Sequence, residues 1–103
     1  MIKKFLDQFF TEIPYEEFIN KKVLTFNIPL LKKIIQYIQM NGNNIERINC
    51  EYYNITIHKN ESTIVISMLK DEWFKIYIFD GITRKYYLAD QYEGLIKFID
   101  IHI

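Results

Sequence analysis

The chain has one cysteine, one tryptophan, two prolines, three glycines and no surplus of charge, and most of these scarcities remove a class of protein. Cys50 alone cannot close an internal disulfide, so a secreted, disulfide-stapled framework is excluded and a reducing compartment is expected. One cysteine and two distant histidines, His58 and His102, do not make a ligand cluster, and no metal is expected. The glycines build no phosphate loop, nucleophile elbow or dinucleotide fingerprint, and no cofactor is expected. Thirteen basic against thirteen acidic residues leave zero net charge, which argues against holding nucleic acid or an anionic membrane by bulk electrostatics. No stretch is apolar for long enough to span a bilayer, and the basic start Met1-Ile2-Lys3-Lys4 runs into Asp7 and Gln8 instead of a signal-peptide core. A cytoplasmic protein is the expectation.

What is present is globular in kind. Half of the 103 residues are hydrophobic, 17% are aromatic and 25% charged, enough for one packed core and too little for two, so a single domain over 1–103 follows. The abundance of Ile, Lys, Asn, Tyr and Phe also fits an AT-rich coding sequence, as in a low-GC bacterium or a mobile element.

The strongest local signal runs from Glu72 to Ala89, where two aromatic and β-branched runs flank Asp80-Gly81. That pair accepts φ > 0 and predicts a two-residue hairpin turn, setting Phe79 opposite Ile82, Tyr77 opposite Arg84, Lys75 opposite Tyr86 and Trp73 opposite Leu88. Upstream, Ile2, Phe5, Leu6, Phe9 and Ile13 at helical spacing predict an amphipathic N-terminal helix ended by Pro14. Pro14 also suits the first position of a short second helix, with Glu16 and Glu17 at its positive end and Tyr15, Phe18 and Ile19 facing inward. Lys21 to Phe26 reads as a connection or a short edge strand.

A clearer helix follows, with Asn27 or Ile28 at its cap, Pro29 in its first turn and Leu31, Ile34, Ile35 and Ile38 along one stripe. Asn41-Gly42-Asn43-Asn44 should stop it through the left-handed backbone those residues accept. From Ile45 the period becomes two, and a change of parity at Tyr52-Tyr53 implies a bulge or a break. Lys59 to Ser62 reads as a turn, Thr63 to Leu69 as a strand and Lys70 to Glu72 as another turn. Asp90 and Glu93 then form a capping-box pattern ahead of a last helix with Tyr92, Leu95, Ile96, Ile99 and Ile103 inward. The expected fold is α+β, with N-terminal helices, a four-stranded antiparallel meander sheet and a C-terminal helix.

In the predicted hairpin register, one face carries Trp73, Lys75, Tyr77, Arg84 and Tyr86, and the other Phe74, Ile76, Ile78, Thr83, Lys85 and Tyr87. An even-length turn before the hairpin adds Ile64, Ile66 and Met68 to the first face and Val65, Ser67 and Leu69 to the second. Both faces are then apolar over much of their length, so the second must be covered by straddling helices, a second copy or a partner. Arg, Trp and Tyr dominate binding hot spots, so Trp73, Lys75, Tyr77, Arg84 and Tyr86 are the candidate partner-binding residues. The plainer alternative is that the Lys and Arg stems only shelter neighbouring rings while their heads reach water. Cys50, in an alternating strand, reads as a small core residue and not a nucleophile. No constellation of catalytic residues is visible, and an enzyme is not expected.

Tyr86 to Ile99, a strand running into a short helix with acidic residues at its cap, resembles the tail of SUKH-type immunity proteins. The resemblance is confined to that stretch, and the superfamily's Pro-containing and Gly-rich signatures do not occur upstream of it. Small size, missing catalytic residues and AT-rich composition point to a non-catalytic intracellular module that binds another protein, such as an inhibitor or an immunity or anti-defence factor of a mobile genetic element. The alternatives are a homodimeric structural protein and a single-stranded nucleic-acid binder using the same face. The last is disfavoured by zero net charge and by the absence of the glycine-containing aromatic strand motif of RNA-recognition domains.

Overall fold

Pro14 decides how the chain enters its sheet. The computed structural model describes residues 9–103, so most of the expected N-terminal helix, residues 1–8, lies outside the described residues. The rest of that segment is not helical: Phe10–Ile13 forms strand β1, antiparallel to a strand at Arg84–Ala89, with Phe10 opposite Ala89 and Ile13 opposite Tyr86. A proline ring disfavours helical backbone in the residue before it, which pushes Ile13 to extended geometry, and a strand here covers an otherwise open sheet edge.

Helix α1 (Tyr15–Asn20) starts one residue later than expected, with Pro14 flanking it and accepting the Phe18 N–H at 3.0 Å. Only Phe18 of its apolar residues turns partly inward; Tyr15 and Ile19 stay exposed. Helix α2 (Ile28–Asn41) forms as its sequence suggests: the Asn27 side chain accepts the Leu30 N–H at 2.7 Å, and Ile34 and Ile38 are fully buried. Its end differs in mechanism. Gly42 has φ −74°, and Asn44 at φ 57° takes the left-handed position. Glycine is required at 42 for space, since a Cβ there would collide with the Ile45 side chain and the Ile38 carbonyl.

Among the described residues six strands, not four, build the sheet: β1, β2 (Ile45–Cys50), β3 (Asn54–Lys59), β4 (Ser62–Met68), β5 (Phe74–Phe79) and β6 (Arg84–Ala89). All neighbours are antiparallel in the order β1-β6-β5-β4-β3-β2. One extra strand is β1. The other arises at the parity change, which is a hairpin turn through Glu51, Tyr52 and Tyr53, closed by the Glu51 N–H on the Asn54 carbonyl at 3.0 Å.

Two loop lengths correct the expected faces. The β5–β6 loop has four residues, because the Asp80 carboxylate accepts the N–H groups of Ile82 and Thr83 at 2.9 and 2.7 Å, an Asx-type turn, so that Phe79 pairs with Arg84. Tyr77 therefore faces Tyr86, and Lys75 faces Leu88; a slip of two residues preserves which side each occupies. The β4–β5 connection has an odd length, Leu69 to Trp73, and inverts the predicted parity: Val65 pairs with Tyr77 and Ser67 with Lys75. Ile64, Ile66 and Met68 join Phe74, Ile76 and Ile78 instead. The sheet is thus not apolar on both sides.

Helix α2 and helix α3 (Gln91–His102) cover the isoleucine-rich face, where Ile55, Ile57, Ile66, Ile76, Phe74, Leu95 and Phe98 have no accessible surface. Each such side chain contributes about 1.5–3 kcal/mol of hydrophobic burial. Phe98, absent from the predicted stripe of α3, is central to it, with Phe10 and Tyr87 rings at 5.3 and 5.0 Å. The Asp90 side chain makes no cap hydrogen bond, so the capping box is not realised; Asp90 instead donates its backbone N–H to Phe9 at 2.8 Å. Tyr37 of α2 donates its hydroxyl to Asp100 of α3 at 2.5 Å, tying the two helices together.

Candidate functional site

The opposite, outer face has a different chemistry. Register places three rows across it: Arg47, His58, Thr63, Phe79 and Arg84; then Asn49, Thr56, Val65, Tyr77, Tyr86 and Ile13; then Asn54, Ser67, Lys75, Leu88 and Thr11. Among the described residues only α1 crosses it, laying Phe18 and Tyr15 at 4.8 and 5.3 Å from the Tyr86 ring. A helix of six residues is too short to cover six strands.

Lys75 anchors that helix. Its ammonium donates to the carbonyl oxygens of Phe18 and Lys21 at 3.0 and 2.9 Å and sits 4.4 Å from the centre of the Phe18 ring. Those carbonyls lie at the end of α1, where the Phe18 oxygen also accepts the Lys21 N–H at 3.2 Å, and the lysine adds a cationic C-cap from a distant strand. The side chain is buried, and burial holds its pKa below the usual lysine value.

The five predicted residues do not form one patch. Lys75, Tyr77, Arg84 and Tyr86 share the outer face, but Lys75 and much of Tyr86 lie under α1. Tyr77 and Arg84 remain on the open side. Arg84 donates its Nε–H to the Tyr77 hydroxyl at 3.1 Å and lies 4.9 Å from the Phe79 ring centre, while Tyr77 packs on Tyr86 at 5.6 Å. Among the described residues no carboxylate pairs with Arg84. Its guanidinium is held by the Tyr77 hydroxyl and the Phe79 ring on an exposed residue, and a guanidinium suits a planar anionic or carbonyl acceptor. Trp73 stands apart, half-buried in a hollow of about 330 Å³ lined with Leu69, Leu88, Lys21, Lys22 and Lys70.

Sequence reasoning missed a second groove, of about 500 Å³, between the start of α2 and the β2–β3 turn, lined by Phe26, Ile28, Leu31 and the exposed Tyr52 and Tyr53. Its only signal was the parity change, which strands two tyrosines in a turn. Cys50 borders it and is exposed, correcting its expected place in the core; as an edge-strand residue it has no sheet neighbour on one side. Partial burial raises its thiol pKa, away from thiolate chemistry. His102 is stacked on Phe98 at 4.5 Å, with Tyr87 and Phe10 around it, and burial together with the Lys85 charge lowers its pKa. Among the described residues no three His, Cys, Asp or Glu side chains gather as a metal site, and no helix is long and apolar enough to cross a membrane.

Compared with known proteins, the chain matches no family model, no curated protein and no solved structure.

Proposed function

We propose that this chain is a small, non-catalytic protein-binding module whose outer sheet face meets a partner, with Tyr77 and Arg84 at the centre of contact and Trp73, Lys75 and Tyr86 supporting it. The observation that carries this reading is the unequal cover of the sheet among the described residues: two long helices on one face, one six-residue helix on the other. What is left open is a Tyr and Arg surface already ordered by its own contacts, which lowers the entropic cost of binding. An inhibitor, or an immunity or anti-defence factor of a mobile element acting in the cytoplasm, fits the small size, the AT-rich composition and the lack of a catalytic constellation.

The test is co-purification from the native organism, comparing the wild-type chain with a Tyr77→Ala, Arg84→Ala double variant of unchanged thermal stability. A protein retained by the first and lost from the second supports the reading; equal capture contradicts it. Light scattering across a dilution series distinguishes self-association through this face, which would hold a dimer at low micromolar concentration. A salt-dependent shift with labelled single-stranded oligonucleotide would favour nucleic acid instead.

A further inference from the structure

The hollow around Trp73 has a chemistry of its own. Leu69, Trp73 and Leu88 give it apolar walls, and Lys21, Lys22 and Lys70 stand at its margin. Of these lysines only Lys21 has a carboxylate partner among the described residues, Glu17 at 3.9 Å, a weak contact between exposed side chains. At about 330 Å³ the hollow lies at the small end of ligand-binding cavities, which run from about 300 to 1,000 Å³.

Its walls are fixed on both sides. The segment after α1 is held by Lys75, which bonds the Lys21 carbonyl at 2.9 Å, and by the Leu24 N–H on the Met68 carbonyl at 2.8 Å. The facing turn is closed by the Leu69 N–H on the Trp73 carbonyl at 2.7 Å. That turn contains two successive non-glycine residues in left-handed backbone, Asp71 at φ 61° and Glu72 at φ 59°. Each costs of order 1 kcal/mol, and such strain collects where a loop must present particular side chains. Here it carries Lys70 and leads into Trp73, both of which line the hollow together with Lys22.

From this complementarity we infer that the Trp73 hollow binds a small amphiphilic anion: a short alkyl chain seated against Trp73, Leu69 and Leu88, with a carboxylate held by Lys22 and Lys70. Cavity size limits the apolar part to a short chain, and the lysine margin selects the anionic head. This site shares Trp73 with the margin of the proposed partner contact but is lined by neither of its central residues, Tyr77 and Arg84.

The chain's single tryptophan makes the test direct. The intact protein is titrated with octanoate and, in parallel, with neutral octanamide, following Trp73 emission. The expected result is a saturable change with octanoate and a much weaker one with octanamide. A Lys22→Glu, Lys70→Glu double variant, both positions being exposed, should melt as the wild type does and bind octanoate at least about tenfold more weakly, in keeping with the loss and reversal of two near-surface charge contacts. The Tyr77→Ala, Arg84→Ala variant should bind octanoate normally, so failure of the protein-binding reading would leave this result intact. No saturable change up to the order of 10 mM, an equal response to the amide, or full binding by the lysine variant would each overturn the inference.

Discussion

The two faces of one sheet are held by different physics. The inner face is a layer of isoleucines and phenylalanines closed by α2 and α3, and its stability comes from filled volume. The outer face is Thr, Tyr, Arg and Asn for most of its width, and its one covering element among the described residues, α1, is held by a buried lysine reaching two carbonyls. The contrast separates residues the fold needs from residues it leaves available. Substitution on the inner face should unfold the molecule, whereas substitution on the open outer face should leave it folded and change only what it touches.

The largest effect is expected at Phe74, with no accessible surface on the inner face. Phe74→Ala should cost about 3–5 kcal/mol in urea unfolding through lost contacts and the cavity left behind. A cost below about 1 kcal/mol would break the division between the faces.

Next is Lys75→Met, which keeps the stem and removes the ammonium. The Lys21 carbonyl loses the ammonium outright and the Phe18 carbonyl is left with the Lys21 N–H, so about 1–3 kcal/mol should be lost. Hydrogen exchange should quicken selectively in α1 and its flanks while α2 and α3 keep their protection. Uniform loss of protection would mean that α1 is integral to the core and not a separate cover.

Smaller still is the pH response of His102 on the inner side. Burial, aided by Lys85, holds the folded imidazole below its ordinary value of 6.5, so the unfolded chain takes up a proton first. The contribution is therefore intact above that value and is lost as pH falls below it. His102→Phe, which keeps a ring against Phe98, should show a shallower fall in urea midpoint than the wild type between about pH 7.5 and 5. Parallel falls would contradict the assignment.

The smallest effect on stability belongs to the Tyr77→Ala, Arg84→Ala variant, since Arg84 is exposed and Tyr77 half-exposed. A change within about 1 kcal/mol is expected, typical of surface positions.

What the sequence made legible was mostly local. Asn27 with Pro29 started α2 as read, and Leu95 and Ile99 marked the buried stripe of α3. The sidedness of Lys75, Tyr77, Arg84 and Tyr86 survived a wrong turn length because the error was even. The β4 face did not survive, because the Leu69 to Trp73 turn depends on left-handed backbone at Asp71 and Glu72, which neither residue type announces. Over Phe10–Ile13, the described part of the expected N-terminal helix, helical spacing misled for a related reason: Pro14 and the open edge of β6 outweighed a periodic pattern. Within the candidate site, the burial of Lys75 could not be read from a strand sequence, since it is created by carbonyls more than 50 residues away.

A photo-crosslinking residue placed at position 77 tests the open outer face most directly. The account predicts, in cells of the native organism, an adduct between this chain and a different protein, lost when Arg84→Ala is added. An adduct only between two copies of the chain, or no adduct at all despite a folded protein, would contradict it.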